Sequence, residues 1–391
     1  MRGAVGLMLT LGLYRFWLAT DVRRFLWGHT VVGEDGLEYT GTPRELLIGF
    51  LTAIALLIPV YLGLFVAALG LGIIGQFSGV FAFLLLAFLG QFAVYRARRY
   101  RLTRTVYRGI RWHQTGSAWK FAVYSSLWWG LVALSLGLAY PWAQASLERY
   151  KLANTHYGDV TARFVGSGTR LFLRGFVMWL VVMAPLAFSI GIAATALDWV
   201  ALATAAVADG NPIERIEAID PDFAVAIVLA IAGFGWSVLA AAVLYPLFRT
   251  MVLQWWISGI RLGDLTAASH LRAGQIYAAY ARFVWYMFLF AIVAAIVAAV
   301  VLWIGAVIAG SETSTSAQEV VAAILFVGAY VVAALGYSTI YQSTVTIRLW
   351  RLSVETTTLN GLATLDNVRA RGVASSALGE GLADALDVGG L

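Results

Sequence analysis

The chain has 391 residues, of which 61% are apolar and 12% are charged, and its formal net charge is +6. Soluble domains carry about a quarter charged residues, so this composition excludes an array of ordinary water-exposed domains and indicates that lipid covers most of the surface. The chain has no cysteine, which excludes disulfides, thiol nucleophiles and thiolate metal sites.

The apolar segments come first, because about 20 apolar residues in a helix cross the hydrocarbon core. This rule predicts an all-α polytopic membrane protein with about 7–8 apolar membrane segments. They cover 3–19, 45–74, 77–95, 119–142, 172–197, 223–248, 282–309 and 320–346. Away from its ends, none of them contains Asp, Glu or Lys.

Polar caps follow these segments and repeat along the chain. With an offset of 125 residues, Trp17 matches Trp142, Arg24 matches Arg149, and Thr30 matches Thr155. We therefore predict a membrane domain of repeated span-plus-cap units over 1–355. The caps lie near 20–45, 96–118, 143–171, 249–281 and 347–371. The expected structural residues of the repeat are Trp17, Arg24, Thr30, Trp142, Arg149, Tyr150, Asn154 and Thr155.

The first and third caps also contain short extended stretches. Residues 31–39 alternate around Asp35-Gly36, which predicts a small β-hairpin, and 161–165 resembles a matching strand. Thr42-Pro43 and Gly166–Thr169 then have the residue types that start a helix. The segment 356–391 loses the apolar density, and we expect it to form a mobile C-terminal cytoplasmic tail.

The arginines set the expected orientation. The second cap contains seven of them and no acid, whereas 198–222 is acidic, so the positive-inside rule places the caps in the cytoplasm and the loops near 70–77, 198–222 and 311–319 outside. One conflict follows, because only 119–142 separates the second and third caps. A full crossing would put one arginine-rich cap outside. We favour a re-entrant hairpin that turns near Trp129-Gly130 and leave the full span as the alternative.

The arginine cluster is the strongest chemical signal. Tyr and Trp side chains interleave with it, which suits contact with anionic lipid or phosphate because arginine binds phosphate with two donors. The plainer interpretation, which we favour, is that the cluster only fixes topology. Nucleic acid is not an expected partner of a cap at the membrane face. The cluster consists of Arg96, Arg98, Arg99, Arg101, Arg104, Arg108 and Arg111.

Other chemistry is weakly indicated. His29, His113, His156 and His270 lie in different caps without the spacing of metal ligands, so we predict no metal site. No nucleotide-binding or nucleophile motif is present, so we predict no cofactor and no enzyme. The spans lack a carboxylate at membrane depth, which argues against ion-coupled transport.

Three sequences carry a family resemblance: LTLGLYRFW at 9–17, LGLAYPWA at 136–143 and ERYKLANTHYGD at 148–159; the ending GEGLADALD at 379–387 agrees with them. With these, the chain resembles the YjgN-like family of bacterial inner-membrane proteins, which is defined by a domain of unknown function. The resemblance implies a multi-pass protein of the bacterial inner membrane with a repeated unit, and it supplies no catalytic residues. The chain departs from it at the N-terminus, where the family's usual Phe/Gly-rich half-cap is missing.

Two functions remain as expectations. The first is a transport or channel-like protein for a small or lipid-like solute. The alternative is a non-enzymatic lipid-binding or scaffold membrane protein. In both, membrane lipids, above all anionic ones, are the expected partners.

Overall fold

The structure is a computed structural model that describes residues 10, 13–70, 77–195, 199–200, 223–309, 315–371 and 376–386. Its helices are α1 (Arg15–Gly28), α2 (Pro43–Gly70), α3 (Ser78–Arg104), α4 (Ala118–Leu134), α5 (Tyr140–Ala153), α6 (Gly168–Thr195), α7 (Phe223–Gly259), α8 (Ala273–Ala309), α9 (Thr315–Tyr341), α10 (Ile347–Glu355) and α11 (Leu378–Ala385). A π-helical turn, Gln342–Thr346, joins α9 to α10.

The strands are β1 (Val31–Val32), β2 (Asp35–Tyr39), β3 (Thr105–Tyr107), β4 (Ile110–Gln114), β5 (Thr155–Tyr157), β6 (Val160–Phe164), β7 (Ile260–Leu262), β8 (Leu265–Ser269) and β9 (Thr357–Asn360). A pair of helices and then a β-hairpin alternate along the chain. The caps therefore contain β-structure that the all-α description understated.

Six helices are long and apolar enough to cross a membrane: Pro43–Leu69, Ser78–Arg104, Gly168–Thr195, Val225–Gly259, Ala273–Val300 and Leu325–Glu355. At most 17% of the most apolar window in each is buried, so their apolar side chains face outward. By length and composition, these helices indicate a membrane protein. They do not confirm the expected 7–8 segments. The stretch 119–142 forms a helical hairpin instead of one long helix, and most of 3–19 lies outside the described residues. Most of the expected outer loops also lie outside them.

The hairpins join into one sheet instead of forming separate caps. All nine strands pair antiparallel in chain order, which gives an open half-barrel. Neighbouring hairpins are joined by pairs such as Leu37 with Tyr107 and Trp112 with Tyr157. Since one sheet has one position relative to the membrane, every cap lies on the same side of the helices.

Glycines set the hairpin turns. Gly33, Gly109, Gly158 and Gly263 all have positive φ, between 56° and 74°, which two-residue hairpin turns require. The expected turn at Asp35-Gly36 is wrong, because Val32 pairs with Asp35 and the turn residues are Gly33-Glu34. In that turn it is Gly33 that adopts the left-handed backbone.

A hydrogen bond spanning 17 residues marks four of the repeats. In each, a long side chain near the end of a helix donates to a carbonyl just beyond the second strand of the following hairpin. The bonds join Arg24 to Gly41 (3.0 Å), Arg99 to Gly116, Arg149 to Gly166 (3.1 Å) and Gln254 to Leu271 (2.5 Å). The bond holds helix and hairpin of one unit at a fixed angle.

Backbone hydrogen bonds then join each unit to the next. An N–H after the second strand of one hairpin donates to the carbonyl that ends a helix of the next unit. The pairs are Thr40 with Arg104 (2.8 Å), Thr115 with Asn154 (2.8 Å), Val165 with Gly259 (2.9 Å) and His270 with Thr356 (2.8 Å). The duplication seen in the sequence is therefore a repeat of bonding geometry as well.

The stretch 119–142 forms a helical hairpin. Helix α4 leaves β4, the chain turns at 135–139, and α5 returns to β5, which pairs with β4. At about 1.5 Å per residue, the 17 residues of α4 reach roughly 25 Å from the sheet. The hairpin geometry supports the re-entrant interpretation, but the expected turn at Trp129-Gly130 is wrong. The turn comes later, where Leu136 and Gly137 have positive φ.

Every backbone N–H of this turn is hydrogen-bonded, which is what a turn at membrane depth would need. The N–H groups of Ser135 through Leu138 and of Tyr140 donate to nearby carbonyls, and the N–H of Ala139 donates to the Ser135 hydroxyl at 3.0 Å. The indole of Trp179 on α6 donates to the Leu136 carbonyl at 2.8 Å. The tip of the hairpin is thus anchored to the next unit.

The first and last repeats meet. Trp27 on α1 stacks on Trp350 of α10 with ring centroids 4.9 Å apart, and the Trp350 indole donates to the Thr30 hydroxyl at 3.2 Å. Further contacts join α3 to α5 and α5 to α7, through Tyr95–Tyr150 and Trp256–Glu148. Arg23 of α1 and Arg101 of α3 both approach Glu380, and Leu253 of α7 shares an apolar cluster with Leu349 and Leu352 of α10. These contacts complete a ring of the five helices that enter the sheet, α1, α3, α5, α7 and α10, around one axis, and we call them the inner helices.

The C-terminal segment closes this arrangement. Leu365 is buried under the sheet against Tyr107, Tyr157 and Leu262, and Asp366 bonds Arg108 at the second hairpin turn. Helix α11 then lies between α2 and α3, with Leu382 and Ala383 in their apolar contact. The described part of the expected tail is therefore packed against the sheet and against α2 and α3.

Candidate functional site

Charged side chains recur at one position of the repeat. Arg23, Arg98 and Glu148 each directly precede the arginine of the 17-residue hydrogen bond, on α1, α3 and α5. Arg101 and Lys151 lie three residues further along α3 and α5, and so share their helix faces. We call these side chains, with Glu380 of α11, the inner charge cluster.

The cluster has two carboxylate centres. Glu380 accepts from Arg23 at 2.5 Å, and its Oε1 lies 3.9 Å from Nη1 of Arg101. Glu148 accepts from Lys151 at 2.5 Å and from the Trp256 indole at 3.0 Å. Glu380 thus links α11 to α1 and α3, and Glu148 links α5 to α7 and to the next turn of its own helix.

Arg98 lies between these centres. Its guanidinium is within electrostatic range of Glu148, and Arg101 is within range of both Arg23 and Arg98. The Arg98 Nε is buried and has no hydrogen-bond partner among the described residues. Arg98 is six residues from the sheet-side end of α3, or roughly 9 Å.

The charges of the cluster shift the pKa values of Glu148 and Arg23, which lie outside the crossing helices. Burial alone would raise the pKa of Glu148, but Lys151, Arg98 and two hydrogen bonds outweigh it and hold this pKa below its ordinary value. Burial would lower the pKa of Arg23, yet Glu380 and Tyr39 raise it. Both groups are therefore charged at neutral pH.

The cluster has an excess of positive charge. It contains four cations, Arg23, Arg98, Arg101 and Lys151, against two carboxylates, Glu148 and Glu380. Fixed cations in a partly enclosed site favour an anion, and guanidinium groups suit phosphate in particular. The arrangement can hold an anionic group near the axis of the inner helices.

The seven predicted arginines do not converge on one site. Only Arg98 and Arg101 join the inner charge cluster. Arg99 and Arg111 donate to backbone carbonyls, Arg104 pairs with Glu45 at 2.9 Å, Arg108 bridges Asp35 and Asp366, and Arg96 packs beside Gly379 and over the Phe92 ring.

The predicted cap residues instead have structural contacts. The hydroxyls of Thr30 and Thr155 donate to carbonyls four residues earlier, at 2.7 and 2.8 Å. Arg24 and Arg149 form the 17-residue bonds. Tyr150 donates to Ser117, Asn154 to Tyr150, and Trp142 to Thr169, while Trp17 is 38% exposed on α1.

An apolar cavity of about 320 Å³ lies beside the tip of the re-entrant hairpin. Its walls come from the hairpin, α6 and α7, and include Tyr140, Phe176, Trp179, Met183 and Tyr245. Such a lining suits a hydrocarbon group, and the volume is at the lower end of small-ligand sites.

Two histidines come together across β4 and β5. His113 and His156 are a cross-strand pair whose rings stack at 5.0 Å. Burial lowers the pKa of both, and the neighbouring imidazole lowers that of His113 further. Within the described residues, no three His, Asp or Glu side chains are grouped as metal ligands.

Sequence reasoning missed four of the six side chains in this cluster, Arg23, Glu148, Lys151 and Glu380. Glu148 and Lys151 fell inside a motif that carried the family resemblance, and Trp256 was read only as part of a cap. Glu380 came from a segment expected to be mobile. The available signal was the register of the repeat, which puts Arg23, Arg98 and Glu148 in one column.

Comparison with protein families gives a match over residues 6–385 to a family described as a bacterial protein of unknown function (DUF898), which includes the YjgN-like proteins. The chain belongs to this family, and the resemblance drawn from the sequence motifs is confirmed. Comparisons with curated proteins and with solved structures find no match.

Proposed function

We propose that this DUF898 membrane protein binds an anionic membrane lipid, with the phosphate on Arg98 and Arg101 and the inner helices around it. The observation that carries the proposal is the positive excess of the inner charge cluster. Four cations face two carboxylates, and the buried Nε of Arg98 has no hydrogen-bond partner among the described residues. A phosphate that accepts from Arg98 would satisfy that donor.

Depth along the helices supports a lipid as the source of the anion. Arg98 is roughly 9 Å from the sheet-side end of a helix that can cross the membrane, which is near headgroup level if the sheet lies at the membrane surface. The six crossing helices expose most of their apolar side chains, so lipid reaches them from the side. A soluble phosphate has no acyl chain that could pack against this apolar surface.

The apolar cavity supplies a place for an acyl chain. Its aromatic and aliphatic walls adjoin a hairpin whose tip ends among the crossing helices. Tyr140 and Phe248 in its wall are in ring contact, 5.7 Å apart, and Tyr140 is on the same helix as Glu148. One lipid could use both features, with its headgroup toward the cluster and a chain toward the cavity.

Retention of phosphatidylglycerol during purification tests the proposal. The protein with Arg98→Gln and Arg101→Gln is compared with wild type by native mass spectrometry after exchange into mixed phosphatidylglycerol and phosphatidylcholine micelles. At roughly 1 kcal/mol per basic residue, we expect at least about a tenfold loss of bound phosphatidylglycerol. Unchanged retention would overturn the proposal.

A matched control separates a specific site from attraction to anionic lipid in general. Arg174 is exposed on α6, six residues from the sheet-side end of that helix, as Arg98 is on α3. We expect Arg174→Gln to retain phosphatidylglycerol like wild type. Equal losses in both variants would assign the binding to surface charge alone.

Transport of a lipid-like solute is the second candidate. The arrangement of five inner helices around one axis favours it, because a path along such an axis needs no gap between outer helices. Transport is tested in vesicles that contain fluorescent phosphatidylglycerol. The measured quantity is the fraction of the fluorescence that an external quencher removes. Wild type should raise that fraction above protein-free vesicles, and an equal fraction would contradict transport.

A further inference from the structure

Helix α11 carries two carboxylates into the membrane domain. It is eight residues long, yet Glu380 contacts Arg23 and Arg101, and Asp384 pairs with Arg15 at 2.6 Å. Arg15 is at the far end of α1 from the sheet, roughly 20 Å from Gly28. The spans themselves lack such acids, so α11 supplies carboxylates that the sequence of the spans did not predict.

The position of α11 is unlike that of a surface helix. It fills most of the interface between α2 and α3, which keep only a small direct contact, whereas α6 and α7, which also join two hairpins, pack along each other. Glycines allow the approach: a Cβ on Gly381 would overlap the backbone of Gly49, and one on Gly379 would overlap Arg96. Leu382 and Ala383 fill the gap, and Ala383 has no exposed surface.

Helix α11 would not be stable in isolation. Eight residues are too few for a stable isolated helix in water, and its sequence includes two glycines. Its position therefore depends on the groove and on the two ion pairs. A competing anion at Arg23 and Arg101 would replace Glu380 and so remove the more buried of these ion pairs.

We infer that α11 is a built-in competitor: Glu380 holds the anion position of the inner charge cluster, and an anionic lipid headgroup displaces it and releases α11 from between α2 and α3. The inference rests on the proposed function and adds its regulation. In the displaced state the gap between α2 and α3 is open, so the groove becomes the lateral entrance for lipid. With no anionic lipid present, α11 closes it.

Accessibility of Ala383 reports the position of α11. The chain has no native cysteine, so Ala383→Cys is the single thiol, and its reaction rate with a maleimide is measured in reconstituted vesicles. We expect slow labelling in pure phosphatidylcholine and at least about fivefold faster labelling when a third of the lipid is phosphatidylglycerol. Asn360→Cys, exposed on β9, is the control and should label equally in both.

Glu380→Gln provides the second measurement. It removes the carboxylate and keeps the size of the side chain, so with Ala383→Cys it should label fast in both vesicle types. Slow labelling of Ala383→Cys under all conditions, with or without Glu380→Gln, would overturn the inference. So would fast labelling with Glu380→Gln that is still as dependent on phosphatidylglycerol as in wild type.

Lipid retention by the same variants separates this inference from the proposed function. If wild type retains phosphatidylglycerol through Arg98 and Arg101 but labelling ignores lipid, binding stands and displacement of α11 fails. If the wild-type protein retains no phosphatidylglycerol, the binding proposal itself fails. We expect Glu380→Gln to retain more phosphatidylglycerol than wild type, because the competing carboxylate is gone.

Discussion

Arg149 donates a hydrogen bond to the carbonyl of Gly166 at 3.1 Å, and Gln254 makes the equivalent bond to Leu271 at 2.5 Å. In each bond, donor and acceptor are 17 residues apart in the sequence, and the two bonds lie in neighbouring units. A neutral side chain therefore makes the same bond as arginine where it carries a donor of sufficient length.

The first prediction separates donor from charge at Arg149. Arg149→Gln should keep most of the stability, because glutamine already makes this bond in the next unit. Arg149→Met has similar length and no donor, and it should cost about 1–3 kcal/mol because the Gly166 carbonyl loses its partner. Thermal unfolding in detergent measures both, and equal loss in the two variants would contradict the assignment.

The second prediction concerns Glu148, which holds Lys151 and Trp256 in the inner charge cluster. Glu148→Gln leaves Lys151 and Arg98 without their carboxylate, and a buried ion pair broken on one side costs about 3–5 kcal/mol. The exposed pair of Glu355 and Arg351 is the control, and Glu355→Gln should change the free energy of unfolding by less than about 1 kcal/mol. Similar effects of the two variants would show that the cluster is solvent-screened.

The same carboxylate gives a pH dependence. Because the folded-state pKa of Glu148 is below the unfolded value of about 4.3, its contribution to stability is present above that pH and is lost as pH falls through the folded pKa. Wild type should therefore lose more stability than Glu148→Gln on acidification below pH 4.

The third prediction uses the stacked histidines. Their folded-state pKa values are lowered, so below about pH 6.5 the unfolded chain takes up protons that the folded chain resists. Stability from this source should be highest above pH 6.5 and fall as pH decreases. His113→Phe keeps a ring beside His156 and should reduce the drop in melting temperature between pH 7.5 and 5.5. His29→Gln, an exposed control, should not, and an unchanged drop in His113→Phe would refute the account.

The fourth prediction is topological. Thr115, directly after β4 and before the re-entrant hairpin, and Arg163, on β6 after it, are both exposed, and their strands belong to one sheet. Single cysteines at both positions should react with a membrane-impermeant maleimide from the cytoplasmic side, and a cysteine at Asp209, in the acidic segment 198–222, should react from the other side. Opposite labelling of Thr115→Cys and Arg163→Cys would mean that α4 and α5 do not form a hairpin in the membrane.

Much of the architecture could be predicted from local signals. The long apolar runs predicted the crossing helices, and Pro43 is the first residue of α2 as expected. Ser167 caps α6 through a bond from the N–H of Arg170 at 3.4 Å. The offset of 125 residues placed Arg24 and Arg149 in equivalent positions, and their bonds show the same geometry. These features depend on residues close together in the chain.

What could not be predicted depends on contacts between distant residues. Nothing local in Trp27 or Trp350 indicates that they stack and bring the first and last units together. The polar composition of α11 suggested a mobile tail, because its stabilising partners Arg15 and Arg23 are more than 350 residues earlier. The sequence suggested that the arginines form one patch, but helix geometry directs Arg98 and Arg101 inward. Arg96 packs over the Phe92 ring, and the other four contact carbonyls or carboxylates.

The most direct test of the central claim is a structure of the protein in lipid nanodiscs that contain phosphatidylglycerol. The account predicts headgroup density within hydrogen-bond distance of Arg98 and Arg101, with Glu380 withdrawn from Arg23. Headgroup density only at outward-facing arginines such as Arg174, with Glu380 still paired with Arg23, would contradict it.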